Sequence, residues 1–229
     1  MDILNLVKVM GADGATIVPA ANGWEFYVRD VTNCMMVSAL LSKDAFDEYD
    51  PEMAPFAVEI DFLRDSLAKR DEVQMDVEDA YIRINSGKSK AKRRLYTIDE
   101  TPRIVPRVHI ANSVAVLSDN LLDAGGHKFL QNADSCATGL QVDISEQEIT
   151  FSFESETEAY SETYDCIMSD IVDGPQTCHY QPTYILPVFK ALPKGIPVIL
   201  TMDTDKPLKM TVQTQMCKID VFIAPRIEE

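Results

Sequence analysis

A weak internal repeat constrains the fold of this chain more than any other feature. The stretch "ATIVPAANGWEFYV" (15–28) is similar to "ATGLQVDISEQEITFSF" (137–153), and each reads as a strand, a polar turn and a second strand. Ala15 and Ala137 are separated by the same number of residues as Leu63 and Ile185, which stand at matching points of later helical segments. One offset shared by two independent elements predicts a duplicated unit of two helices plus several strands. Chance likeness within a single α+β domain is the alternative. At 229 residues the chain is long for one domain and comfortable for two.

Hydrophobic spacing supplies the elements. "ILNLVKVM" (3–10) sets Ile3, Leu6, Val7 and Met10 on one helical face, and "IDFLRDSLAKRDE" (60–72) does the same with Ile60, Leu63 and Leu67. "TYILPVFKALPK" (183–194) carries Ile185, Val188, Phe189 and Leu192, with Pro187 expected in its first turn or at a kink. "SDNLLDAGGHKFLQNA" (118–133) offers Ser118 as an N-cap but is weakened by Gly125 and Gly126. Alternating or β-branched character predicts strands at "WEFYVRD" (24–30), "EVQMDVED" (72–79), "EITFSFES" (148–155), "PVILTMD" (197–203) and "KIDVFIA" (218–224). Pro102 and Pro106 interrupt residues 101–113, which lack periodicity and read as a linker.

Composition narrows the function classes. The 21 Lys and Arg face 37 Asp and Glu, a net charge of −16 that repels nucleic acid and membrane surfaces on average. Any contact with DNA has to be local, weak or shielded. No apolar run approaches the ~20 residues of a membrane helix, and "MDILNLVKVM" has no signal-peptide cleavage pattern. The five scattered cysteines fit reduced thiols in a cytoplasm. His109, His127 and His179 stand apart, and the Cys178–His179 pair lacks the further spacing of a metal site. No phosphate loop, nucleophile elbow or H-E-x-x-H is present. The carboxylates sit mainly in turns and on alternating strand faces, where solvation explains them. Two classes remain: a binding protein, or an enzyme such as a carboxylate-dependent hydrolase on an unrelated α+β fold. Against the acidic background, "SGKSKAKRRLYTID" (86–99) concentrates Lys88, Lys90, Lys92, Arg93 and Arg94.

The final segment favours binding. "TMDTDKPLKMTVQTQMCKIDVFIAPRIEE" (201–229) resembles the C-terminus of the archaeal and eukaryotic sliding clamps, the PCNA family, with its D-x-P-L turn and terminal A-P-[RK]-I-E. "DVTNCMMVSALLSKDAFDEY" (30–49) is similar to the clamp segment D-x-x-x-V-x-x-V followed by F-x-x-Y. "IDFLRDSLAKRDE" and "YILPVFKALP" (184–193) resemble the later helix of each clamp domain. The matches keep the family's order over nearly the whole chain. The resemblance implies a DNA-clamp fold with two similar domains, each of two helices on antiparallel sheets. Its expected layout is domain 1 at 1–99, a connector at 100–112 and domain 2 at 113–229. Clamps normally begin with a strand ahead of the first helix, whereas this sequence starts inside that helix: either the start is mis-assigned or the first sheet lacks an edge strand.

The same resemblance implies a non-catalytic processivity factor without cofactor or metal: a homotrimeric ring around duplex DNA, cytoplasmic and nucleoid-associated in an archaeal-type cell. A specialised paralogue forming hetero-oligomers is the variant reading. By position, Lys8, Arg64, Lys69, Arg70, Lys128, Lys190 and Lys194 are candidates to meet DNA phosphates, although some belong to the solvent face of any amphipathic helix. DNA polymerase, clamp loader, flap endonuclease and ligase would dock through a short motif. The expected pocket comprises Met36, Ile104, Val105, Pro106, Pro207, Phe222, Ala224 and Pro225, of which Met36 and Phe222 suit an ordinary core equally well. Lys88, Lys90, Lys92, Arg93 and Arg94 would form a basic edge strand meeting the acidic stretch of Glu156, Glu158 and Glu162 in the next subunit. An edge that merely discourages aggregation, or a disordered basic loop, would also explain those bases.

Overall fold

The computed structural model describes residues 4, 7–8, 12–67, 72–78, 80–97, 108–128, 130 and 139–226. In the first half the strands are β1 (Gly14–Ala20), β2 (Gly23–Arg29), β3 (Met35–Ser42), β4 (Phe56–Glu59), β5 (Gln74–Glu78), β6 (Tyr81–Ser86) and β7 (Ser89–Arg94). In the second they are β8 (Ser113–Leu117), β9 (Leu140–Ile144), β10 (Glu148–Glu154), β11 (Ala159–Asp165), β12 (Met168–Asp170), β13 (Gln176–Tyr180), β14 (Pro197–Thr201), β15 (Leu208–Gln213) and β16 (Cys217–Ile223). The helices are α1 (Ile60–Leu67), α2 (Ser118–Gly126) and α3 (Pro182–Ala191). Leu4, Val7 and Lys8 are also helical, with Leu4 and Val7 buried. None of these helices is long and apolar enough to cross a membrane.

The strands build three antiparallel sheets, ordered β12-β8-β14-β15-β16-β3-β2-β1-β4, β11-β10-β9-β13 and β5-β6-β7. Alternation decides which face is buried: Ile17, Phe26, Val28, Val37 and Ala39 point into the core from β1 to β3, and Val142, Ile149, Phe151 and Phe153 do so from β9 and β10. The expected duplication is visible in the order of elements. Hairpin, third strand, short strand, helix and three-strand meander occur as β1-β2-β3-β4-α1-β5-β6-β7 and again as β9-β10-β11-β13-α3-β14-β15-β16. The halves share a sheet, because β16 pairs along its length with β3, from Cys217 opposite Leu41 to Ile223 opposite Met35.

Some expectations need correction. Ser118 is not an N-cap: the capping position is Leu117, and the buried Ser118 hydroxyl accepts from the Ile196 amide at 3.1 Å. A tertiary partner captures the oxygen that local capping would have used. Of the two places expected for Pro187, it takes the one inside α3, and Pro182 occupies the helix start. Gly125 is explained by packing: a Cβ there would stand 2.9 Å from the Phe189 Cβ and 3.1 Å from the Leu186 carbonyl oxygen, so α2 meets α3 closely. Residues 100–107 of the expected connector lie outside the described residues.

Candidate functional site

The apolar pocket positions are built from a turn at Asp30. Its buried carboxylate accepts from the Met35 amide at 2.7 Å, the Thr32 amide at 3.1 Å and the Thr32 hydroxyl, while Asn33 takes a φ of 60°. That reversal presents the Cys34 carbonyl to the Ala224 amide at 2.8 Å, and the Arg226 amide donates to the His179 carbonyl at 2.7 Å. Ala224-Pro225-Arg226 is therefore pinned at both ends, which explains a rigid apolar turn so near the last strand. In register, Phe222 lies opposite Met36 on β3 and opposite Lys209 on β15, and Met36 lies opposite Arg29 on β2. The row Arg29–Met36–Phe222–Lys209 thus puts an apolar pair between two cations on one sheet face. Phe222 is buried and Met36 half-buried. The Lys209 ammonium stands 5.7 Å from the Phe222 ring. Arg29 and Lys209 escaped the sequence reading, although strand alternation and register would have found them. Ile104, Val105 and Pro106 lie outside the described residues.

The described end of the connector is locked to the turn that precedes β15. Asp203 accepts from the Ala111 and Asn112 amides at 3.1 Å and from the Asn112 side-chain amide at 2.7 Å. Lys206, one residue before half-buried Pro207, donates to the same carboxylate at 2.8 Å and to the His109 carbonyl at 2.9 Å. Asn112 passes the connection on, accepting from the Val172 amide at 2.7 Å. Burial alone would raise the Asp203 pKa. The Lys206 ammonium and the converging amides outweigh it and hold the carboxyl at about 2.

The candidate DNA-facing bases divide by half. Lys8 and Arg64 both reach Asp61, at 2.8 and 3.0 Å, and Arg64 also reaches Asp65 at 3.1 Å. The Lys8 hydrogen bond is the largest cause lowering the Asp61 pKa. Lys128, Lys190 and Lys194 are exposed, and among the described residues none forms an ion pair. Lys69 and Arg70 lie outside the described residues.

The charged edges differ in detail from expectation. Lys88 sits in the β6–β7 turn and not in a strand, because Gly87 beside it takes a φ of 56°. Lys90, Lys92 and Arg94 share one face of β7, and Lys92 stands 4.0 Å over the Tyr81 ring. Arg93 points to the other face and pairs with Glu59. Glu156 and Glu158 lie in the β10–β11 loop, where Ser155 and Glu158 close a turn, so of the three expected acids only Glu162 is in β11. Glu162 is opposite buried Phe151, between Tyr160 and Tyr164 on the core side, and its Oε2 is buried without a donor among the described residues. Burial, then the Glu162 charge, raises the pKa of both tyrosines. Among the described residues, β7 and β11 each end a sheet, with no further strand paired beyond them.

No family model matches the chain. A DNA polymerase sliding clamp of Methanococcus maripaludis (strain DSM 14266) is 22% identical over 224 residues, spanning 90% of this chain and 87% of its own. The structure of A. fulgidus PCNA bound to the C-terminal region of FEN-1 has a TM-score of 0.82 at 18% identity, covering 99% of this chain and 96% of that one. PCNA of Thermococcus kodakaraensis gives 0.81 at 17%, covering 98% and 96%. The PCNA2–PCNA3 complex of Sulfolobus tokodaii gives 0.76 at 14%, covering 99% and 96%. The fold is that of the PCNA-type DNA clamps over the whole chain, and the resemblance carried by the sequence motifs holds.

Proposed function

We propose that this chain is a subunit of a DNA sliding clamp, a non-catalytic processivity factor that closes head to tail into a ring of three around duplex DNA. The observation that carries the reading is the join between β16 and β3. By the repeat, β16 corresponds to β7 and β3 to β11. The join inside the chain therefore has a second version whose two strands each end a sheet among the described residues. Pairing β7 of one subunit with β11 of the next repeats the internal join and propagates it around a ring. Charge selects that pairing over like edges: Lys90, Lys92 and Arg94 share the face on which β11 carries Asp165, Arg93 shares the face on which it carries Glu162, and β11 holds no base. Exposed ion pairs give only ~0.2–1 kcal/mol each, so backbone pairing and apolar contact hold the seam and the charges choose it.

The remaining surfaces fit the same reading. An acidic exterior keeps the ring from wrapping nucleic acid, while a few bases on the helices meet phosphates weakly enough to slide. The pocket at Met36, Phe222, Pro225 and the connector suits a short partner motif with aromatic anchors, as on polymerase, loader, flap endonuclease and ligase. We expect domains at 1–99 and 113–229, joined by the connector at 100–112.

Light scattering in low salt tests the ring. The parent is expected near three times 25.6 kDa. Lys90→Glu, Lys92→Glu and Arg94→Glu together should give monomers of unchanged circular dichroism, because Arg93, which holds Glu59, is left in place. Loaded protein should stay on a nicked circular duplex and leave when the circle is cut. A parent that remains at 25.6 kDa overturns the homotrimer and points to assembly with other clamp chains. Retention that survives cutting overturns topological binding.

A further inference from the structure

We infer that the apolar pair Met36–Phe222 selects partner segments carrying Asp or Glu on both sides of their aromatic anchors, with Arg29 and Lys209 reading those acids, which deepens and rests on the docking role proposed above. Arg29, Met36, Phe222 and Lys209 stand opposite one another in turn across β2, β3, β16 and β15, on one face of the sheet. Neighbouring strands are about 4.8 Å apart, so three spacings put the two cationic positions roughly 14 Å from each other. A helical turn has a pitch of only ~5.4 Å. An occupant whose anchors pack on Met36 and Phe222 therefore meets Arg29 and Lys209 with the residues that flank those anchors.

The two cations are not cancelled by their surroundings. Arg29 is exposed and forms no ion pair among the described residues. Its neighbour Asp30 is buried, and that carboxylate already accepts from the Met35 amide and from Thr32. Lys209 reaches Asp220 at 3.4 Å, but Lys218 shares the same carboxylate at 3.7 Å, and the Thr211 hydroxyl donates to it at 2.6 Å. Glu25, four residues back along β2 from Arg29, takes the Tyr27 hydroxyl at 2.6 Å. Positive charge thus brackets an apolar pair on a chain whose net charge is −16. The average charge favours a basic partner segment, and the row opposes it locally. At physiological ionic strength the Debye length is ~8 Å, so charges in contact outweigh the distant ones. The Arg29 guanidinium also suits a carboxylate, which it can hold through two parallel hydrogen bonds. A nucleic-acid backbone would satisfy the cations and leave Met36 and Phe222 uncovered, so a peptide fits this row better.

Three capped peptides and the full chain provide the test. Each peptide is centred on a Phe–Phe pair, with Glu, Ser or Lys on both sides of it. In a buffer of about 0.15 M ionic strength, the Glu peptide should bind in the micromolar range and the Lys peptide about tenfold more weakly, with the Ser peptide between them. Arg29→Gln with Lys209→Gln should bring the three affinities together, while the Ser peptide binds as it does to the parent and so reports an intact pocket. Arg29→Glu, at an exposed strand end, should favour the Lys peptide. Equal binding of the three peptides by the parent, or tighter binding of the Lys peptide, overturns the inference and leaves the pocket and the clamp reading standing. Selectivity that survives the double Gln variant overturns it too, since other cations then read the acids. Displacement of the Glu peptide by an equal concentration of oligothymidylate overturns it in favour of nucleic acid. Binding of none of the peptides overturns the pocket and the inference together. Acid-selective binding by a chain that never assembles upholds the inference and sinks the ring.

Discussion

Replacing Asp203 by Asn should release the described end of the connector. The side chain keeps its size but loses its charge, and an NH2 group must face donors in a site that only an acceptor fits. The carboxylate is 8% exposed, so water replaces little of what is lost. Its pKa is lowered from 3.8 to about 2. At about 1.4 kcal/mol per unit, the charged form contributes about 2 kcal/mol to folding. The sign follows from the direction of the shift. A depressed carboxylate stabilises the fold fully above its unfolded value of 3.8, and that contribution disappears as pH falls through about 2. Urea unfolding followed by circular dichroism at matched protein concentration should show the variant less stable by about 2 kcal/mol at pH 7, with the difference closing between pH 4 and pH 2. The Ala111 and Asn112 amides should also lose exchange protection, since Asp203 is their acceptor. A difference that is unchanged at pH 2, or absent at pH 7, would refute the assignment of this carboxylate as the anchor.

The legibility of the fold tracks the range of the forces involved. β2, β10, β14 and β16 fall within a residue or two of where alternation put them, because each strand buries one face and its own sequence reports which. Ser118 misled because its hydroxyl answers to Ile196, a partner set by tertiary structure. The Lys8–Asp61 pair is hidden for the same reason: only folding brings 8 and 61 together, whereas the Arg64–Asp61 spacing on one helix was open to inspection. Met36 and Phe222 each stood out within their own segments as apolar strand residues. Their arrangement in a row across four strands depends on register, which no single segment encodes. The charged stretches were legible as composition and misread as geometry, since Lys88, Glu156 and Glu158 belong to turns beside their strands.

Two adjacent glycines separate packing from propensity. Gly125→Ala should cost about 1–3 kcal/mol through overlap with Phe189 and Leu186, whereas Gly126→Ala, with nothing within 4 Å of an added Cβ, should be neutral or stabilise by up to ~1 kcal/mol in chemical denaturation. Equal effects at both would mean that α2 and α3 do not meet at Gly125. In the clamp reading Asp61 acts as a brake on DNA contact in the first half, because it occupies Lys8 and Arg64 together. Asp61→Asn should free Lys8, while Arg64 keeps Asp65, and steepen the salt dependence of retention on circular duplex by about one unit of log–log slope, at about 0.9 per phosphate contact. Lys190→Ala, which removes an exposed base with no ion pair among the described residues, should make the slope shallower by about one. If Asp61→Asn leaves the slope unchanged while Lys190→Ala lowers it, Lys8 does not face the duplex.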